Sequence, residues 1–203
     1  MDFTEPARCI HVYDDVFSGS RFLELLEEEC AQQWGYLSWF QTTVGAGPNQ
    51  FSVRPDYRSS LGCELAPLYV EPEHVTNERV LPLITEWKAI FGSIEPCVWN
   101  YRNTYGIDLA GNEGYRVLKY GKGAEYRGHV DHAPENGRIL SMVAFMNGGF
   151  AGGDLSFPIM GTEVVPREGS VVLFPSNFPY FHYASSVGVE DESVKYSLVT
   201  WFR

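Results

Sequence analysis

No stretch of this chain approaches eighteen consecutive apolar residues, and the opening Met-Asp-Phe-Thr-Glu-Pro-Ala-Arg has no apolar core. Neither a membrane span nor a secretory leader is therefore expected. Basic residues are scarce: 15 Lys and Arg stand against 26 Asp and Glu, a formal charge of -11. Nucleic-acid binding draws on a basic stripe that displaces counterions, and the sequence has none, which disfavours a polyanionic partner. Cysteine is sparse too. Cys9, Cys30, Cys63 and Cys97 form no C-x-x-C pair, and 203 residues need no disulfide staples, so four buried free thiols are expected. No internal repeat, low-complexity tract or Pro/Ser/Gly linker divides the chain, which reads as one domain over residues 1–203. Together these absences describe a soluble, cytoplasmic type of protein.

What is present is apolar and aromatic. Hydrophobic residues make up 44% and aromatic ones 15%, enough for a sizeable core with a β-rich bias. The first 95 residues or so read as a helical scaffold with a lid loop. Ile10 to Val12 suggests a short strand, and Asp14, Asp15 and Ser18 suit a turn or helix cap. Phe22, Leu23, Leu25, Leu26 and Cys30 then recur at helical spacing to about Gln33. Gln41 to Pro55 is rich in Gly, Pro, Asn and Ser and reads as a loop. With Phe51, Arg54, Tyr57 and Arg58 it forms a candidate lid or substrate wall. A second helix is expected from Thr76, capped by that hydroxyl, through Val80, Leu83, Ile84, Trp87 and Phe91, with Gly92 beyond its end. From about residue 96 the pattern changes to short Val-, Tyr-, Phe- and Leu-rich segments between Gly and Pro turns. They fall near 97–104, 115–120, 138–146, 163–165, 170–174, 181–184 and 194–202, the spacing of an antiparallel sandwich or barrel.

One constellation carries chemistry. In an extended strand, residues i and i+2 face the same side, so His129 and Asp131 can grip one ion while Val130 faces away. His182, about fifty residues later in Phe181-His182-Tyr183, can bring a third donor from a neighbouring strand. Two imidazoles and one carboxylate leave three octahedral positions open, the facial arrangement of non-haem Fe(II) oxygenases. His132 follows in a His-Ala-Pro strand exit and reads as exposed, while His11 and His74 read as structural or surface residues.

The surrounding sequence resembles a family. Tyr120-x-x-Gly123-x-x-Tyr126-x-x-His129-x-Asp131, then Gly152-Gly153-Asp154-Leu155-Ser156-Phe157-Pro158, then Glu168-Gly169-Ser170-Val171-Val172-Leu173-Phe174-Pro175, then His182, Lys195 and Tyr196 to Phe202 follow one another in order. From about residue 115 onward this is similar to the prolyl 4-hydroxylase-like, 2-oxoglutarate-dependent Fe(II) dioxygenases. The first hundred residues match only loosely. The resemblance implies a mainly β (α+β) fold, a double-stranded β-helix of the jelly-roll or cupin-like kind with N-terminal helices packed on one sheet. It implies Fe(II) on His129, Asp131 and His182, with 2-oxoglutarate and dioxygen as co-substrates and ascorbate as an auxiliary reductant. Lys195 would meet the distal carboxylate of 2-oxoglutarate, with Tyr120 adding a hydroxyl. Tyr126, Arg127 and Trp201 are candidate substrate contacts. One departure is Phe145, which stands where some animal members have a co-substrate-binding tyrosine. Asp131 is intact, unlike in halogenases.

The reaction implied is hydroxylation of an unactivated C–H bond, coupled to conversion of 2-oxoglutarate to succinate and carbon dioxide. Peptidyl proline is the substrate most associated with such sequences, and a free amino acid or another small metabolite fits the residues equally well. Two readings from other classes use the same residues: a nucleic-acid demethylase, for which Arg203 is a second cation, and a non-catalytic metal-binding barrel.

Overall fold

The computed structural model describes residues 1–33, 35–47, 50–69, 75, 77–188 and 192–203. The expectations placed on His74 and Thr76 lie outside them. From the N-terminus the elements are β1 (Thr4–Ala7), β2 (Ile10–Tyr13), α1 (Ser20–Cys30), β3 (Phe40–Gln41), β4 (Val44–Gly47), β5 (Gln50–Ser52), β6 (Leu61–Glu64) and α2 (Leu81–Tyr105). Strands β7 (Arg116–Tyr120), β8 (Tyr126–His129), β9 (Leu140–Phe145), β10 (Leu155–Phe157), β11 (Thr162–Val164), β12 (Val171–Pro175), β13 (His182–Ala184) and β14 (Lys195–Phe202) follow.

Two antiparallel sheets face each other, giving the double-stranded β-helix. The large sheet runs β1-β2-β12-β9-β14-β7-β6-β3, and the small one β11-β10-β13-β8. Period-2 alternation sorts the side chains of the large sheet. Val171 and Leu173 of β12 join the helices, while Val172 and Phe174 join Leu155 and Phe157 between the sheets. Along β14, Leu198 and Phe202 face the helices, whereas Lys195, Ser197, Val199 and Trp201 line the interior. That alternation brings a lysine inside the barrel.

Both helices cover the outer face of the large sheet. Phe22 and Leu26 of α1 and Leu83, Ile84 and Trp87 of α2 are buried there, each worth about 1.5–3 kcal/mol of transfer free energy. Gly19 caps α1 because it lies against Met146: a Cβ there would be 2.1 Å from the Met146 carbonyl oxygen.

Helix α2 is much longer than its sequence suggests. Gly92 does not end it, and residues 97–104 are helical rather than strand. Ile90, Ile94, Cys97 and Tyr101 keep the buried stripe at helical spacing, and this tertiary burial outweighs the cost of Gly92 and Pro96, both on the exposed side. The helix stops at Gly106, whose φ of 61° supplies the left-handed C-cap. A short 3-10 turn over Glu78–Val80 leads into it, capped by Asn77, whose side chain accepts from the Arg79 N–H. The Gly-rich 41–55 segment also departs from a loop, since β4 and β5 pair as a hairpin. Of the four thiols, Cys63 and Cys97 are buried, whereas Cys9 and Cys30 are partly exposed. No helix among the described residues is long and apolar enough to cross a membrane.

Candidate metal centre and anion pocket

His129 ends β8 and His182 opens β13, and the ladder pairs them directly. Asp131 lies just past β8, in a bend, with its backbone N–H bonded to the Ser176 carbonyl at 3.1 Å. The His129 Nε2 is 3.4 Å from Asp131 Oδ1, and the His182 Nε2 is 3.5 Å from Oδ2. All three donor atoms fall within 4.8 Å of one another, the one His/Cys/Asp/Glu cluster among the described residues with spacing that could hold a metal ion.

The hydrogen bonds behind these donors fix their chemistry. His129 Nδ1–H donates to the Arg127 carbonyl at 2.9 Å and His182 Nδ1–H to the Tyr180 carbonyl at 3.0 Å. A carbonyl can only accept, so each Nδ1 keeps its proton and each Nε2 lone pair is free for an ion. Burial pushes the His182 imidazole down to about 4, which keeps it in the neutral, ligating form. Burial would raise the Asp131 carboxyl, but the facing imidazoles and a hydrogen bond from Ser141 outweigh it and hold the group well below the usual carboxylate range. The Ser141 hydroxyl donates to Asp131 Oδ2 at 2.6 Å, and Ser176 stands 2.8 Å behind it.

The donors line a cavity whose opposite wall is the large sheet. Lys195 enters that wall, 2% exposed, and burial brings its ammonium down to about 7 despite the nearby Asp154. Its Nζ donates to the Gly153 carbonyl and lies 5.1 Å from the Tyr120 ring and 5.3 Å from the Phe145 ring. Gly153 has a φ of 71°, and a Cβ there would meet Lys195 Cδ at 2.9 Å, so both backbone and space require glycine. Among the described residues Ser197 Oγ is buried without a hydrogen-bond partner, two positions after Lys195 on the same strand face. A buried ammonium with no carboxylate at ion-pair distance among the described residues, and an orphan hydroxyl beside it, fit an incoming carboxylate.

The remaining candidates divide. Tyr126 stacks on His129 with ring centroids 3.8 Å apart, and Trp201 lines the same cavity. The Tyr120 ring faces Lys195, and its hydroxyl, expected to meet the co-substrate carboxylate, turns toward Arg58 and Ser60 rather than toward the ammonium. Arg127 does not face the donors. It is exposed, pairs with Glu125 at 3.2 Å and contributes its carbonyl to His129, because it alternates with Tyr126 to the outer side of β8. His132 is exposed and His11 is buried against Tyr105 and Phe3, as read.

Four residues were missed as site members: Ser141, Ser176, Ser197 and Arg138. Arg138 stacks 3.8 Å over Trp201 while Glu113 pairs with it and with Arg203. Ser197 was accessible from the period-2 pattern that placed Lys195. The other three depend on loop paths that no periodicity records. A groove beside the donors runs between Phe51, Arg54 and Tyr57 on one bank and Arg138 and Arg203 on the other.

Comparison with known proteins places this geometry. Residues 115–203 match the 2OG-Fe(II) oxygenase superfamily. The prolyl 4-hydroxylase alpha-1 subunits of Gallus gallus and Bos taurus are 29% and 30% identical over 85 and 84 residues, covering 36% of this chain. The match spans only 16% of each relative's own length. Among solved structures, a viral collagen prolyl hydroxylase from Paramecium Bursaria Chlorella virus-1, in complex with 2OG, superposes with a TM-score of 0.64 at 16% identity, covering 97% of this chain and 96% of that one. A Pseudomonas putida prolyl-4-hydroxylase gives 0.64 at 20% identity over 96% and 92%. These likenesses show the fold, and the stretch from residue 115 to 203, which carries the three metal-type donors and the buried Lys195, is the part of the chain that is similar to the 2OG-Fe(II) oxygenase superfamily.

Proposed function

We propose that this chain is a 2-oxoglutarate- and Fe(II)-dependent dioxygenase acting on a prolyl substrate. The observation that carries the reading is the opposition, across one cavity, of the His129-Asp131-His182 donors and the buried Lys195 with the orphan Ser197 hydroxyl. In this reading His129, Asp131 and His182 hold Fe(II) through two neutral Nε2 atoms and a carboxylate oxygen. Lys195 and Ser197 hold the distal carboxylate of 2-oxoglutarate. Bound there, iron and co-substrate supply the oxidising chemistry, with dioxygen and 2-oxoglutarate consumed, succinate and carbon dioxide released and one C–H bond hydroxylated.

The chain's own side chains orient and exclude water. Tyr126 and Trp201 wall the reacting face, and Val199, Leu118 and Leu155 keep the interior apolar. The groove beside the donors suits an extended peptide, which accords with the prolyl 4-hydroxylase relatives and with a Trichoplax adhaerens prolyl hydroxylase solved with a peptide fragment, of TM-score 0.59 and 15% identity. The test is anaerobic titration with Fe(II) and then 2-oxoglutarate, watching for a metal-to-ligand charge-transfer band in the visible range. Screening proline-containing peptides and amino acids for a mass gain of one oxygen follows. Absence of both the band and succinate release under air would remove the reading.

A further inference from the structure

In a chain with 26 acidic residues, Arg58 and Lys195 are the two buried cations among the described residues, and both line the cavity that holds the metal-type donors. Neither has a carboxylate at ion-pair distance among the described residues. Arginines elsewhere do find one: Arg54 pairs with Asp56 at 2.9 Å, Arg102 with Asp108 at 2.8 Å and Arg138 with Glu113 at 2.6 Å. Arg58 is 5% exposed, stacked 4.4 Å over the Tyr126 ring, and its hydrogen-bond partners are all uncharged: Ser60 Oγ at 3.3 Å, the Thr43 carbonyl at 3.4 Å and the Tyr120 hydroxyl. Guanidinium groups buried this deeply are normally paired, since desolvating an uncompensated charge is costly.

The proposed function leaves one cation over. 2-Oxoglutarate brings two carboxylates, one for the metal and one for Lys195, which enters from β14 against the Tyr120 ring, whereas Arg58 meets the Tyr120 hydroxyl. Arg58 stands instead one ring away from His129, on the wall formed by Tyr126, where a substrate would lie. We infer, resting on that function, that the prolyl substrate carries a carboxylate next to the reacting ring and that the Arg58 guanidinium receives it. Two sources share that chemistry: the α-carboxylate of a free or C-terminal proline, and the side chain of an acidic residue adjoining an internal proline. The planar fork of arginine suits either, bidentately.

Isothermal calorimetry on the chain loaded with Mn(II) and 2-oxoglutarate tests this without turnover, because the co-substrate site is then filled. N-acetyl-L-proline should bind at least about tenfold more tightly than N-acetyl-L-prolinamide if the α-carboxylate is the partner. N-acetyl-Asp-Pro-amide should beat N-acetyl-Asn-Pro-amide by a similar factor if the side chain is. Arg58→Gln should abolish whichever preference exists and leave 2-oxoglutarate affinity within about twofold, while Arg58→Lys should keep part of it. Equal binding within both pairs by the wild-type chain overturns the inference, as does loss of 2-oxoglutarate affinity in Arg58→Gln. The wild-type pairs decide even where a variant fails to fold. Failure of the dioxygenase reading is separate: Mn(II) and 2-oxoglutarate would then not bind at all.

Discussion

Replacing Lys195 by Met removes a charge from the interior of the barrel. The ammonium is 2% exposed, and its folded value of about 7 lies well below the 10.5 of a free lysine. At about 1.36 kcal/mol for each tenfold change in proton affinity, that gap is a penalty on the order of 5 kcal/mol. Below about pH 7 the side chain is protonated in both folded and unfolded chains, so the penalty is present in full. Between about pH 7 and 10.5 only the unfolded chain holds the proton, so stability rises with pH until the penalty is gone. Without ligands, then, Lys195→Met should be the more stable protein at pH 7. The margin over wild type should shrink by roughly 2–3 kcal/mol between pH 7 and pH 9. Urea melts of both proteins across that range measure it, and subtracting the variant cancels the titrating groups that do not interact with Lys195. 2-Oxoglutarate should reverse the order, because its carboxylate restores the charged form. At pH 8 its binding to wild type should take up a proton, seen as a buffer-dependent heat, while the variant binds weakly and takes up none. A wild-type and variant gap that stays constant from pH 7 to 9 would refute the account of Lys195 as an unpaired interior cation.

Other perturbations follow from the same geometry. Ser197→Ala removes a hydroxyl with no hydrogen-bond partner among the described residues, so it should leave the melting temperature nearly unchanged and raise the KM for 2-oxoglutarate by about tenfold or more, the worth of one hydrogen bond to a charged group. Ser141→Ala frees Asp131 Oδ2 from its 2.6 Å donor and should weaken Mn(II) or Fe(II) binding about 10- to 100-fold, with recovery in Ser141→Thr; unchanged metal affinity would count against it. His182→Ala should abolish high-affinity metal binding outright in an equilibrium dialysis assay. Gly153→Ala meets both a φ of 71° and the Lys195 stem at 2.9 Å, and should cost stability and 2-oxoglutarate affinity together.

Much of the barrel half was legible because its signals are local. Strand periodicity marked β7, β9, β12 and β14, and His129, Asp131, His182 and Lys195 stood out because imidazoles, a carboxylate and an ammonium at those spacings serve few bland purposes. What stayed hidden depends on partners remote in sequence. The run Cys97-Val98-Trp99-Asn100-Tyr101 is β-prone by composition, yet Cys97 and Tyr101 complete the stripe begun by Leu83 and Ile84, and the sheet beneath them decides for helix. Phe145 likewise read as a lost hydrogen bond. In the fold it is an aromatic face 5.3 Å from the Lys195 ammonium, a contact whose meaning depends on β9 and β14 being neighbours. Arg58 sits in a segment read as lid, and only its bridge to Tyr126 brings it against the donors.

The division of the site between the two sheets has a mechanical consequence. The imidazoles belong to β8 and β13 of the small sheet, short strands that pair with a register shift between His182 and Ala184. Lys195 and Ser197 belong to β14, held on one side by β7 and on the other by β9 over six registered pairs, and backed by both helices. The anion-binding wall is therefore the rigid member, and the metal-binding wall is the one able to adjust by small strand movements. An ion shared by His129, Asp131 and His182 would cross-link the looser sheet to the loop after β8. Metal should therefore protect the backbone amides of Tyr126–His129 and His182–Ala184 from hydrogen exchange while leaving those of β14 as they were. Uniform protection across both sheets on adding Mn(II) would mean that the barrel responds as one body and that this division of labour is wrong.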